Sequence, residues 1–321
     1  MVPAPPNYQF HDLQPALADF RREVHAGLSA APRRIAPKFF YDAAGSRLFD
    51  AITRLDAYYP TRTEIGLLRA HGAQIAALLG RGATLIELGS GSDVKIRTVI
   101  DALAPAEYLP LDISGVHLDR AASGIARDYP GLQVQAVCVD YTQPFDLPPT
   151  AGAHRVAFYP GSSVGNFEPA EVVRLLQRVA RMVGPRGRLL VGVDLKKDAA
   201  RLNAAYDDPE GVTARFNLNL LVRMASELGA QIERDAFAHD AFYDASRGRI
   251  EMHLRAVRPT AIELDGARYA FSPGESIHTE NSYKYRVDEF VALAEASGFV
   301  SERVWCDAER LFSVHCLRAA A

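Results

Sequence analysis

The chain has 321 residues, 48% hydrophobic and 23% charged, with a formal net charge of −3. That composition suits one large or two ordinary domains with a sizeable core. It carries no basic footprint for nucleic acid, and no apolar run reaches transmembrane length, so neither nucleic acid nor membrane is expected as a partner.

The opening Met-Val-Pro-Ala-Pro-Pro lacks a basic region followed by an apolar run, so no secretory leader is expected. Cys138, Cys306 and Cys316 are odd in number and lack metal-ligand spacing. Free thiols in a reducing cytoplasm are the simplest reading. Nine histidines are scattered without an H-E-x-x-H or similar pattern, so no metal is expected.

Residues 1–12 read as a loose arm. Leu13, Leu17, Phe20, Val24 and Leu28 form one helical stripe. Two aromatic clusters follow, around Phe39-Phe40-Tyr41 and Tyr58-Tyr59. Aromatics are usually core, but Pro60 favours an extended backbone before it, and a phenol there can turn its O–H to a cleft. Thr63 can cap a helix running to about Leu79.

From Thr84 the pattern is regular. Leu85–Leu88 reads as a buried strand, Gly89-Ser90-Gly91 as a tight turn, and Val94, Ile96, Val99, Ile100 and Leu103 as a helix. Strands are predicted at 107–111, 132–139, 155–159 and 188–193, with helices at about 114–127 and 168–183. Alternation of this kind implies parallel strands with right-handed crossovers. After Lys196 the rhythm changes. Helices at 199–206 and 212–228 precede short strands at 232–237, 241–243, 250–257, 261–264 and 269–271. A helix at 287–297 and strands near 301–306 and 312–317 close the chain. The expected organisation is a sheet domain of 62–196 plus 285–321, and an α+β domain of 1–61 plus 197–284 over the carboxyl ends of its strands, where open α/β sheets bind ligands.

The glycine turn lets backbone N–H groups approach a ligand. It is a poor dinucleotide fingerprint, because the third glycine would fall at Val94. An acid ending the strand, Glu87, instead resembles motif I of S-adenosylmethionine (SAM) methyltransferases. Asp112, 23 positions after Gly89, ends the second strand, where an acid commonly takes ribose hydroxyls. Asp140 ends the third and could accept from an adenine amino group, with Tyr141 near the ring. Each acid could also be a helix cap or a solvated loop residue; three at one end of a sheet favour the SAM site. Lys95 lies in the first turn of its helix, where the macrodipole disfavours a cation. A bound carboxylate would reverse that cost; a solvent-directed lysine is the alternative.

Nine stretches carry a more specific resemblance: Phe40-Tyr-Asp-Ala-Ala-Gly-Ser-Arg-Leu-Phe-Asp50, Tyr58-Tyr-Pro-Thr-Arg-Thr-Glu64, Glu87-Leu-Gly-Ser-Gly-Ser92, Gly161-Ser-Ser-Val-Gly-Asn166, Lys197-Asp198, Tyr206-Asp-Asp208, Gly211-Val-Thr-Ala214, Ile250-Glu-Met252 and Thr279-Glu-Asn-Ser282. Across nearly its whole length the chain resembles the histidine Nα-methyltransferases of ergothioneine biosynthesis. The resemblance implies a Rossmann-like class I methyltransferase sheet with a second α+β substrate domain that makes hercynine from L-histidine; a cytoplasmic monomer is expected. It implies that Gly89, Lys95, Asp112, Asp140 and Tyr141 hold SAM. Tyr58, Gly161, Asn166 and Tyr206 would hold the amino-acid end of the substrate, with Tyr41 near the amine. Met252, Glu280 and Ser282 would line the imidazole pocket. Relatives acting on other amino acids share the SAM motifs, so a tyrosine or tryptophan Nα-methyltransferase, or a non-catalytic SAM-binding protein, are the alternative readings. Singly, Glu280 could pair with Lys284, Asn166 could cap a helix and Met252 could be ordinary core.

Overall fold

The computed structural model describes residues 5–13, 20–90 and 93–320, and its chain divides into two compact units. One comprises Met1–Pro15, Pro60–Lys196 and Lys284–Ala321; the other comprises Ala16–Tyr59 and Lys197–Tyr283.

In chain order the elements of the first unit are β1 (Tyr8–Asp12), α3 (Tyr59–Leu79), β2 (Thr84–Leu88), α4 (Asp93–Leu103), β3 (Glu107–Asp112), α5 (Gly115–Asp128), β4 (Gln133–Cys138), β5 (Arg155–Tyr159), α6 (Pro169–Val183), β6 (Arg188–Asp194), α9 (Val287–Ala296), β13 (Phe299–Cys306) and β14 (Phe312–Ala319). The second unit contributes α1 (Phe20–Ser29), α2 (Ala43–Ile52), α7 (Ala199–Tyr206), α8 (Val212–Leu228), β7 (Gln231–Ile232), β8 (Phe237–Asp244), β9 (Arg249–Ala256), β10 (Thr260–Leu264), β11 (Ala267–Phe271) and β12 (Ser276–Tyr283).

The strands of the first unit form one sheet in the order β1-β4-β3-β2-β5-β6-β14-β13. The pairings from β1 through β6 are parallel, and β14 and β13 close the sheet as an antiparallel pair. Chain order reverses between β2 and β5, which puts the ends of β2 and β3 and the loop after β5 at a topological switch point. This is the class I methyltransferase sheet, extended at one edge by β1. Every residue of β2 is buried, as expected of a parallel strand covered on both faces. Leu85, Ile96, Val99, Leu103, Leu118, Val134, Val156 and Leu190 pack into one apolar core between strands and helices. Pro169 opens α6 in its first turn, where its missing N–H costs nothing, and Gly184 ends that helix at φ +75°.

Five expectations change. Residues 8–12 are not a loose arm: they form β1, which pairs with β4 and joins the sheet unit instead of the second domain. The Asn7 amide anchors the strand by donating to the Leu132 carbonyl at 2.7 Å. Helix α3 begins at Tyr59, not Thr63, because Pro60 fits a first helical turn. Of the first helical stripe, Phe20, Val24 and Leu28 are buried on α1, Leu13 precedes that helix, and Leu17 lies outside the described residues. In the second unit the 232–237 strand is interrupted by a 3-10 turn at Arg234–Ala236, and β12 stands where no strand was expected.

The second unit holds two antiparallel three-stranded sheets, β11-β10-β7 and β12-β9-β8. Asp42 caps α2 by accepting from the Gly45 N–H at 2.7 Å. Its Oδ1 also accepts from Asn219 on α8 at 2.8 Å, which ties the two helices together.

On β6, Gly192 faces Glu64 so closely that a Cβ at that position would overlap Glu64 Oε1. Gly192→Ala should therefore cost about 1–3 kcal/mol of stability, the usual penalty of overpacking. Urea denaturation measures it; unchanged stability would contradict the close approach.

Candidate functional site

The carboxyl ends of β2, β3 and β4 each deliver an acid. Glu87 is 1% exposed. Tyr108 donates its O–H to Glu87 Oε2 at 2.5 Å, while Oε1 has no hydrogen-bond partner among the described residues. Burial pushes the Glu87 carboxyl up to about 8, against the lowering effect of the Tyr108 hydroxyl. Gly89 follows at φ +78°, a backbone that favours glycine. Its N–H donates to the Leu111 carbonyl at 2.9 Å, fixing the turn to β3. Gly91 and Ser92 of the same turn lie outside the described residues.

Asp112 ends β3, and its carboxylate accepts from the Ser114 N–H at 2.8 Å. Burial raises it to about 6. Ser114 stands at the N-cap of α5, but its side chain makes no capping bond there. Asp140 closes its own turn by accepting from the Thr142 N–H at 3.0 Å. Next to it Tyr141 sets its ring edge-on to Tyr159, with centroids 6.1 Å apart. The Tyr141 hydroxyl lies 3.5 Å from where a Cβ on Gly89 would stand, so Tyr141 and the glycine turn are neighbours. Burial pushes this phenol up to about 12. A glycine turn beside the buried Glu87, the half-buried Asp112 and Asp140 and an aromatic ring fits the ammonium, hydroxyls and adenine of SAM.

Lys95, in the first turn of α4, is not solvent-directed: its Nζ lies 2.7 Å from Glu64 Oε2 on α3, and both side chains are buried. The same Glu64 carboxylate accepts from the Gly161 N–H, at 2.9 and 3.1 Å. Glu64 was visible in the sequence only as the end of a motif, with no role attached. Gly161 has φ +78° and begins the loop after β5. Ser162 continues it at φ +57°, and its Oγ accepts from the Asp194 N–H at 2.9 Å. Asn166 ends the 3-10 turn Ser163–Asn166. It is not a helix cap, since Glu168 takes the N-cap of α6. Lys284 forms a buried ion pair with Asp194 at 2.8 Å.

In the second unit, Tyr206 at the end of α7 and Ser282 on β12 meet through their hydroxyls at 2.8 Å. The Tyr58 and Tyr206 rings are edge-on with centroids 6.2 Å apart. Tyr41 lies edge-on to Phe49 and Phe216, at 5.7 and 5.8 Å. Glu280 is directly opposite Met252 in the β12·β9 pairing, so the two share a face with Ser282, two residues along. Glu280, Ser282 and Met252 are all buried. Among the described residues no group of three or more His, Cys, Asp or Glu could hold a metal ion, and no helix is long and apolar enough to cross a membrane.

The model of the SAM-dependent, histidine-specific methyltransferase family matches residues 20–319. The chain belongs to this family. It is 43% identical to the histidine N-alpha-methyltransferase of Mycolicibacterium smegmatis over 296 residues, covering 89% of this chain and 91% of that one. It is 42% identical to the enzyme of the same name from Mycobacterium tuberculosis, with the same coverage. Ergothioneine biosynthesis protein 1 of Neurospora crassa is 30% identical over 85% of this chain, which spans 32% of that longer protein. Membership makes SAM the methyl donor.

For this methyltransferase the buried Glu87 gives a pH test. Its proton is held more tightly in the folded state than in the unfolded chain. Between the ordinary carboxylate value of 4.5 and about 8, the folded state therefore binds more protons, and stability falls as pH rises. The contribution is complete below that window and lost above about 8. Glu87→Gln should remove this slope, so its stability relative to the parent should improve steadily across the window. Urea midpoints at a series of pH values decide it; parallel curves would show that Glu87 does not titrate there.

Proposed function

We propose that this chain transfers three methyl groups in succession from SAM to the α-amino nitrogen of L-histidine, giving hercynine, a step of ergothioneine biosynthesis. The observation that carries the reading is the shared face of Glu280, Ser282 and Met252, with Ser282 bonded to Tyr206, in a member of the histidine-specific family.

When bound, SAM supplies a methyl group on a positively charged sulfur. In this reading Gly89 gives the cofactor close backbone approach, and Lys95 offers its carboxylate the N–H donors that Glu64 does not use. Asp112 accepts from ribose hydroxyls and Asp140 from the adenine amino group, while Tyr141 gives an aromatic face. Tyr58, Gly161, Asn166 and Tyr206 hold the amino-acid end of the substrate, and Tyr41 stands by the amine. Met252, Glu280 and Ser282 read the imidazole, the carboxylate by a charge-assisted hydrogen bond. Cofactor binding belongs to the sheet unit and imidazole recognition to the second unit.

Methyl transfer needs a neutral amine lone pair held in line, so positioning does most of the work. Phenols and an amide place the amine without a fixed negative charge that would keep it protonated. They also tolerate a shrinking number of N–H donors, which suits amine, methylamine and dimethylamine in turn. The reading takes the enzyme as a cytoplasmic monomer acting on free histidine, without nucleic-acid or membrane partners. Unpaired thiols at Cys138, Cys306 and Cys316 agree with a reducing compartment.

The test is the product. Incubation with histidine and excess SAM should yield only the α-N-trimethyl compound by NMR, with mono- and dimethylhistidine both accepted as substrates. A ring-methylated product, or an end point at one methyl, would overturn the reading.

A further inference from the structure

A buried asparagine is costly unless its partners satisfy it. The second unit holds one, linked through the half-buried His239 to Tyr206. Asn217, in the middle of α8, is fully buried. Its Nδ2 donates to the His253 carbonyl at 2.9 Å and to His239 Nδ1 at 2.9 Å. Both amide protons are then used. Its Oδ1 accepts from the Thr279 hydroxyl at 2.9 Å, and that hydroxyl also reaches the Met252 carbonyl at 3.0 Å.

These partners settle the histidine tautomer. A ring nitrogen that accepts from an amide carries no proton, so the His239 proton lies on Nε2. Nε2 stands 2.9 Å from the Tyr206 carbonyl, which only accepts, so the ring donates there. The path runs from Thr279 through Asn217 and His239 to the Tyr206 backbone. It closes on itself, because Thr279 lies three residues before Ser282, whose Oγ meets the Tyr206 hydroxyl. Thr279 also sits in the register shift of β12 between His278 and Glu280. The shift aims Glu280 and Ser282 onto the face that they share with Met252.

We propose that His239 and Asn217 are positioning residues for histidine binding: through the neutral Nε2–H tautomer they fix the end of α7, and with it Tyr206, in register with the β12 bulge that presents Glu280 and Ser282. Neither side chain need touch the substrate. The inference rests on the reading of Tyr206 and Glu280 as histidine contacts.

The experiment compares His239→Leu, His239→Gln and Tyr206→Phe in the full-length enzyme, measuring KM for histidine, kcat and SAM affinity. Leucine cannot bridge Asn217 and Tyr206. Glutamine can accept from one and donate to the other. His239→Leu should raise KM for histidine about tenfold or more, the scale of one lost buried hydrogen-bond bridge. SAM affinity should stay at the parent value, which reports an intact sheet unit, and amide hydrogen exchange across 197–283 should keep its parent protection, which reports that the second unit is folded. His239→Gln should recover most of the loss. In the parent enzyme, nitrogen NMR of labelled histidine should show the His239 proton on Nε2. Unchanged KM in His239→Leu, no rescue by glutamine, or a proton on Nδ1 would each overturn the proposal. If Tyr206→Phe itself leaves histidine binding unchanged, it is the reading of Tyr206 that fails; a loss in Tyr206→Phe without one in His239→Leu rejects the positioning role alone.

Discussion

One buried carboxylate fixes the ligand-facing end of the sheet unit. Glu64 on α3 holds the Lys95 ammonium of α4 and the Gly161 N–H of the loop after β5, and it lies against the bare backbone of Gly192 on β6. Four separate segments are thus set by one side chain. A buried ion pair of this kind is weak evidence for net stability, because desolvation offsets much of the attraction. Its effect is geometric: removing either charge strands the other, so the arrangement is nearly all-or-none. The glycines at 161 and 192 follow from it, one for its positive φ and one for the space it leaves.

Electrostatics at the same end are set by burial. Glu87 and Asp112 are both raised above ordinary carboxylate values, to about 8 and about 6, with desolvation the largest cause for each. Burial outweighs the donors that each acid does have, the Tyr108 hydroxyl for Glu87 and the Ser114 N–H for Asp112. A ligand that brings an ammonium and hydroxyls would lower that cost, in keeping with the SAM site proposed at this end. The second unit solves a different problem. It places a carboxylate, a hydroxyl and phenols against aromatic and apolar walls, and it satisfies the polar groups behind them with asparagine, threonine and histidine.

The parallel sheet was legible because its strands are nearly continuous apolar runs and its helices carry clean 3.6-residue stripes. The strand Arg155–Tyr159 and the helices Ala199–Tyr206 and Val212–Leu228 fall where periodicity put them. What escaped was polar or short. β12 reads Ser-Ile-His-Thr-Glu-Asn-Ser-Tyr, which has no alternation of apolar residues, although most of it is buried. Its side chains are held inside by hydrogen bonds that no periodicity reveals. β1 was lost because a five-residue edge strand gives little signal. Among candidate site residues, the three strand-end acids stand out by their positions, and Tyr58, Tyr206, Glu280 and Ser282 by the motifs that carry the family resemblance. The role of Glu64 could not be read, because its partners lie 31 and 97 residues away in sequence. Asn217 and His239 were hidden for the same reason: a buried asparagine inside a helix looks like any polar surface position until its partners are known.

The central claim is that an acid on β12 selects the imidazole of the substrate. Calorimetric titration at saturating S-adenosylhomocysteine, which has no methyl to transfer, with L-histidine, L-tyrosine and L-tryptophan on the parent enzyme and Glu280→Ala, tests it most directly. The account predicts that the parent binds histidine in preference to the other two. The variant should lose about 1–3 kcal/mol toward histidine, the cost of an unpaired imidazole N–H, and little toward tryptophan. Equal binding of all three by the parent, or equal losses in the variant, would contradict it.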